Sequence, residues 1–276
     1  MKRKLILVSA LGFSMSGVIQ LAQARHFVDL SELCGATVDS DMQVRGNGHI
    51  SIAGDCTIEV DDAKLEIVAV KVDVEGDLTI NDISDTESGE ASGLVIRNSQ
   101  VATTGKVKIE KSWDGGVVFR NNRVATGDDL RVKPVGLGDL IFRNNKGEVS
   151  GDIRLGDSGL QGDMYARNNM VDLDGDFRAA STDGDMVVRN NEIRNVVSKV
   201  QITSDGGGDI SVKQNSFRNS ETAQEVEITT ETGDAGVLNN GFGESVIAVT
   251  IESNDGGQCE SNRNSPEVVD TNACLL

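Results

Sequence analysis

The chain has almost no proline, two residues in 276, and aromatic residues make up only 3% of it. Proline takes a ladder hydrogen bond from any strand that carries it, so its scarcity leaves room for unbroken β-ladders. Histidine is as scarce, with His26 and His49 the only two. They offer little material for acid-base relays, and no Ser-His-Asp, Cys-His or phosphate-loop arrangement is visible. Basic charge is short too, 26 Lys and Arg against 44 Asp and Glu. Phosphate binding needs a net basic footprint, which argues against nucleic acid as a partner.

What is present begins with an export signature. Basic Met1 to Lys4 precede an apolar stretch from Leu5 to about Ala22, and Ala22-Gln23-Ala24 has the small-x-small form of a cleavage site. Ser9, Ser14, Ser16 and Gln20 interrupt the apolar stretch, which makes it a poor membrane anchor. No later segment is apolar enough to span a bilayer, so no membrane span is expected. Residues 1–24 are read as a signal peptide and 25–276 as one exported domain, periplasmic or on the cell surface. Losing the signal removes three basic residues and no acidic one, leaving 23 against 44 and moving the formal charge from -18 to -21.

The four cysteines sit as two pairs, Cys34 with Cys56 and Cys259 with Cys274, far apart in the chain. In an oxidising compartment each pair is expected to staple one end of the molecule. A metal site is the competing reading, but there is no CxxC and the histidines lack ligand spacing.

A repeat fixes the fold. Copies read GLVIRNSQV (93–101), GVVFRNNRV (116–124), GDLIFRNNKG (138–147), GDMYARNNMV (162–171), GDMVVRNNEI (184–193), GDISVKQNSF (208–217) and GVLNNGF (236–242). One polar column runs Ser99, Asn122, Asn145, Asn169, Asn191, Asn215, Asn240 and Asn262, at intervals of 23, 23, 24, 22, 24, 25 and 22 residues. The preceding apolar residues alternate, as in Leu140/Phe142 and Met186/Val188, which is the period of a half-buried strand. A second alternating strand recurs in phase, as in Leu130/Val132, Ile153/Leu155 and Phe177/Ala179.

Because like strands return once per repeat, stacking makes each sheet parallel, with neighbours about 4.8 Å apart. The expected fold is all-β, a right-handed parallel β-helix of 22–25 residues per coil with capped ends, 25–56 and 259–276. An inward Asn at the corner is expected to adopt left-handed backbone and to hydrogen-bond the Asn above and below. Phe27, Val28, Leu30 and Leu33 have the spacing of a short amphipathic helix that would plug the first coil. Residues 264–276 would fold over the last.

The apolar-x-Asn-Asn-x-apolar corner, repeated over about residues 50–262, resembles the pectin-lyase-like superfamily. That superfamily contains lyases, hydrolases, epimerases and non-catalytic surface proteins, so the resemblance implies a fold rather than an activity. The motifs expected of its enzymes are missing. There is no Asn-Thr-Asp, Gly-His-Gly or Arg-Ile-Lys, and no Arg-x-Pro-x-x-Arg; Gly48-His49-Ile50 is only a fragment.

Outward positions of the first strand form charged columns. The basic one is Arg97, Arg120, Arg143, Arg167, Arg189 and Lys213; the acidic one, four residues earlier, is Asp139, Asp163, Asp185 and Asp209. Val95, Val118, Ile141, Tyr165, Val187 and Ser211 run between them, and the second strand carries Lys108, Arg131, Arg154 and Arg178. Stacked like charges repel. Either carboxylates on flanking loops neutralise them, or an anionic ligand such as an acidic polysaccharide lies along the axis. Successive Asp residues one coil apart approach the carboxylate spacing of a retaining glycosidase. Against catalysis, every coil is alike, whereas an acid-base pair needs unlike environments. Asp-Gly turns such as Asp183-Gly184 and Asp205-Gly206 admit calcium, although Asp and Gly dominate tight turns anyway. No other cofactor is expected. The expected role is a non-catalytic scaffold or binding protein, adhesin-like or envelope-associated, meeting a polysaccharide or a surface protein. The alternative is a polysaccharide lyase or glycoside hydrolase using the outer face of the first sheet.

Overall fold

A computed structural model describes residues 29–46, 48–83, 93–112, 115–219, 224–243, 246–255, 257–262 and 264. Short parallel strands wind into a β-solenoid of about nine turns. They form three sheets of ten, ten and nine strands. A representative coil runs through Leu130–Val135 in the second sheet, Leu140–Arg143 in the first and Lys146–Val149 in the third. Each strand pairs with its equivalents one coil away: Val117–Arg120 lies between Gly93–Arg97 and Leu140–Arg143, with Arg120 beside both Arg97 and Arg143.

The third sheet is the element that periodicity did not separate. Its strands are short and begin directly after the Asn pair, as in Arg123–Thr126 and Met170–Leu173. Their few inward residues, Val124 with Thr126 and Val171 with Leu173, are too brief a pattern to stand apart from the preceding strand.

Register places identical side chains on top of one another inside the coil. Phe119 stacks on Phe142 at 5.5 Å between ring centroids, and Phe217 on Phe242 at 6.0 Å. The columns need not keep one volume, since the next residue in register after Phe142 is Ala166.

The Gly-Asp step before each first-sheet strand has a steric cause. A Cβ at Gly162, Gly184 or Gly208 would overlap the carbonyl oxygen of the glycine one coil before it. The Asp that follows completes the step by accepting from the next coil: the Asp185 backbone N–H donates to Asp163 Oδ1 at 3.0 Å, and the Asp209 N–H to Asp185 Oδ1 at 3.0 Å.

The Asn corner divides its work between two residues, which corrects the expectation of a single inward Asn in left-handed backbone. The first residue of each pair takes the left-handed conformation, with φ near 55° at Asn98, Asn121, Asn144, Asn168 and Asn190, and faces solvent. The second is buried with ordinary backbone and carries the inner ladder. Its register also corrects the last position of the column: Asn264, not Asn262, accepts the Asn240 N–H at 3.0 Å. Asn262 lies within the final first-sheet strand, beside Leu238.

At the N-terminal end, Leu30–Leu33 forms one turn of 3-10 helix. Asp29 caps it by accepting from the Ser31 N–H, and Leu30 and Leu33 are buried. Cys34 and Cys56 are disulfide-bonded there. Cys259 is also disulfide-bonded; its expected partner Cys274, like Phe27, Val28, Trp113 and residues 265–276, lies outside the described residues.

Candidate binding face

The two charged sheets solve the same electrostatic problem at different spacings. On the second sheet, an Asp stands two residues before each Arg, about 6.6 Å along a strand, so both point outward on one side. Arg131 reaches Asp129 at 2.6 Å, Arg154 reaches Asp152 at 2.7 Å and Arg178 reaches Asp176 at 3.1 Å. Lys108 lies 3.3 Å from Asp77. Both oxygens of these carboxylates are engaged, since Oδ1 of Asp129 and Asp152 accepts the N–H of Asp152 and Asp176 at 2.9 Å. Burial pushes Asp129 up, but the Asp152 N–H and the Arg131 guanidinium outweigh it and hold the carboxyl below its usual range. In Asp176 burial is likewise outweighed, by the Ser198 hydroxyl, Arg178 and the Lys199 N–H.

This Asp column is the part of the surface that sequence reading missed. The signal was there: Asp-Leu-Arg at 129–131, Asp-Ile-Arg at 152–154 and Asp-Phe-Arg at 176–178.

On the first sheet the structure brings every residue of the expected columns into line. Arg97 pairs in register with Arg120, then Arg143, Arg167, Arg189 and Lys213 follow one coil apart. Here the acid stands four residues before the base, about 13 Å away along the strand. No carboxylate of the described residues forms a salt bridge with any of the six cations. Arg189 instead donates to Gln214 Oε1 at 3.1 and 3.2 Å. The Arg167 guanidinium sits 4.8 Å from the centre of the Tyr165 ring. Tyr165 in turn donates to Asp163 Oδ2 at 2.7 Å, a bond that, with burial and the negative charge around it, raises the phenol to about 12.

Among the described residues, Asp139, Asp185 and Asp209 are engaged through Oδ1 alone, whereas Asp163 also takes the Tyr165 hydroxyl on Oδ2. Asp139 Oδ1 accepts the Asp163 N–H at 3.0 Å, and the series runs on through Asp163, Asp185, Asp209 and Asp234. No family model, curated protein or solved structure matches the chain.

Beside the Arg column, a groove of about 810 Å³ follows the Asn corner into the third sheet. Its exposed amides form a second ladder: Asn144 Nδ2 donates to Asn121 Oδ1 at 2.9 Å and Asn121 Nδ2 to Asn98 Oδ1 at 3.1 Å. Lys71, Arg123 and Lys146 stand on its third-sheet side, with Glu148 and Asp172 beyond them. A further 710 Å³ lies along the same corner at Asn190, Gln214 and Asn239. Among the described residues, no three His, Cys, Asp or Glu side chains gather as a metal site, and no helix is long and apolar enough to cross a membrane.

Proposed function

We propose that this protein is an exported, non-catalytic β-helical scaffold that works through a repeated surface, adhesin-like or associated with the cell envelope. The observation that carries the reading is the uniform duty of the first-sheet Asp column. Each carboxylate accepts the backbone N–H of the next coil in the same geometry. A general acid and its partner base need unlike surroundings; Asp139, Asp185 and Asp209 have like ones, and Asp163 differs in also accepting the Tyr165 hydroxyl. The N-terminal sequence and the Cys34–Cys56 disulfide support export. The Asn corner supports kinship with the pectin-lyase-like superfamily, on its non-catalytic side.

The groove along that corner suits an extended, hydroxyl-rich ligand such as a polysaccharide. Its amide ladder offers donors and acceptors at every coil, and Lys71, Arg123 and Lys146 favour acidic sugars. The test is incubation of the purified protein with acidic and neutral polysaccharides, with and without calcium, followed by product sizing and by binding measurements. Binding without shortening is the expected result. A shortened polymer, with activity abolished by Asp163→Asn or Arg167→Ala, would establish the lyase or hydrolase reading instead.

A further inference from the structure

The outer face of the first sheet carries three parallel stripes. Over four coils an acid just before the strand is followed by a middle residue and a base on it, as in Asp163, Tyr165 and Arg167; Tyr165 and Arg167 are in register with the coils on either side, and Asp163 is joined to Asp139 and Asp185 through the Oδ1 bonds. The middle stripe is mostly apolar and half-buried: Val118, Ile141, Tyr165 and Val187. Among the described residues, neither charged stripe is neutralised by a salt bridge. Among the described residues Asp139, Asp185 and Asp209 engage only Oδ1, and Arg143 and Lys213 form no ion pair. On the second sheet the equivalent free oxygen, Asp129 Oδ2, is filled by Arg131 from the same chain.

We infer that this face is the contact between two copies of the chain, related by a twofold axis that runs along the middle stripe, parallel to the solenoid. Such a rotation keeps each coil at its own height and exchanges left for right. The basic stripe of one copy then faces the acidic stripe of the other, coil by coil. Arg143 meets the Asp139 of the second copy, Arg189 its Asp185 and Lys213 its Asp209, while the apolar stripes meet on the axis. The second copy thereby supplies what Arg131 supplies on the second sheet. An isologous contact of this kind needs a surface complementary to itself, and acid–apolar–base is one. The antiparallel arrangement sets Arg against Arg.

A polyanion is the weaker occupant of this face. It would match the basic stripe but would lie alongside an acidic stripe only about 13 Å away. Six strands at about 4.8 Å spacing give a contact of roughly 1,000 Å² in total, at the lower limit for a specific interface, so the dimer is weak and reversible.

The experiment is sedimentation equilibrium of the purified full chain over a range of concentrations and salt. We expect a monomer–dimer equilibrium whose dissociation constant rises by about tenfold or more as salt goes from low to molar, where screening shortens to about 3 Å. Arg143→Glu with Arg189→Glu turns the face into acid–apolar–acid, and the dimer is lost while the circular dichroism is unchanged. Ser211→Cys, with the charges intact, forms a disulfide to its own mate in the parallel arrangement. In the antiparallel one it lies opposite Ile141 and stays uncross-linked. A chain that is monomeric throughout, a dimer insensitive to salt and to Arg143→Glu with Arg189→Glu, or a dimer that Ser211→Cys does not cross-link would each overturn the inference. No polysaccharide enters the measurement, so its failure leaves the proposed function untouched.

Discussion

Asn191 Oδ1 accepts both the backbone N–H and the side-chain amide of Asn169, at 3.0 and 2.8 Å, across one coil. Its own Nδ2 donates to the Ala166 carbonyl at 2.8 Å and to Asn215 Oδ1 at 2.9 Å. This inner ladder therefore donates from earlier coils to later ones. The exposed ladder one residue away runs the opposite way, with Asn190 Nδ2 donating to Asn168 Oδ1 at 3.2 Å.

Adjacent asparagines thus predict very different costs. Asn191→Ala strands a buried N–H and a buried carbonyl, at about 1–3 kcal/mol for each group. Asn190→Gly keeps the left-handed backbone without strain and loses only a solvent-exposed bond, at less than about 1 kcal/mol. Urea unfolding of the two variants compares them, and a larger loss at Asn190 would refute the division of labour at this corner.

The second-sheet carboxylates set the acid limb of stability. Asp129 and Asp176 are held below their usual range, so their contribution is complete above an unfolded value near 4 and is lost as pH falls through the lower folded value. Arg131→Ala or Arg178→Ala removes one of the groups holding each carboxyl down. The urea midpoint of either variant should change less between pH 5 and pH 2 than that of the parent (about one carboxylate's worth of linkage).

Tyr165 is the only tyrosine, so its ionisation is read directly from ultraviolet absorbance. The midpoint is expected at about 12, two units above the ordinary phenol. The fold favours the neutral form, and that stabilisation is present below the ordinary value near 10 and is lost as pH rises through the folded one. Asp163→Asn should bring the midpoint back toward 10; an unchanged midpoint would mean that the Asp163 hydrogen bond is not its cause.

Cys34 and Cys56 close a loop with a sequence separation of 22. Replacing both by Ser should cost about 3 kcal/mol through the loop entropy returned to the unfolded chain. Hydrogen exchange would show the loss concentrated in the strands Thr37–Val38 and Met42–Arg45, the first of their sheets. Uniform loss over all coils would show that the bond does not act as a local staple.

The sequence by itself determined the solenoid, its coil length, two of its three sheets and the columns that line up on its surface. Stacking is translation, so any period in the chain becomes a column in space and can be read without coordinates. The third sheet escaped because its short strands follow the Asn pair with no break. Tertiary structure alone decided which asparagine of each pair turns inward, that Asn264 rather than Asn262 ends the ladder, and which charged columns cancel. Those outcomes depend on where the pleat and the corner point each side chain. An Asp two residues from Arg131 reaches it at 2.6 Å, while one four residues from Arg143 does not, although both pairs look alike as a repeat.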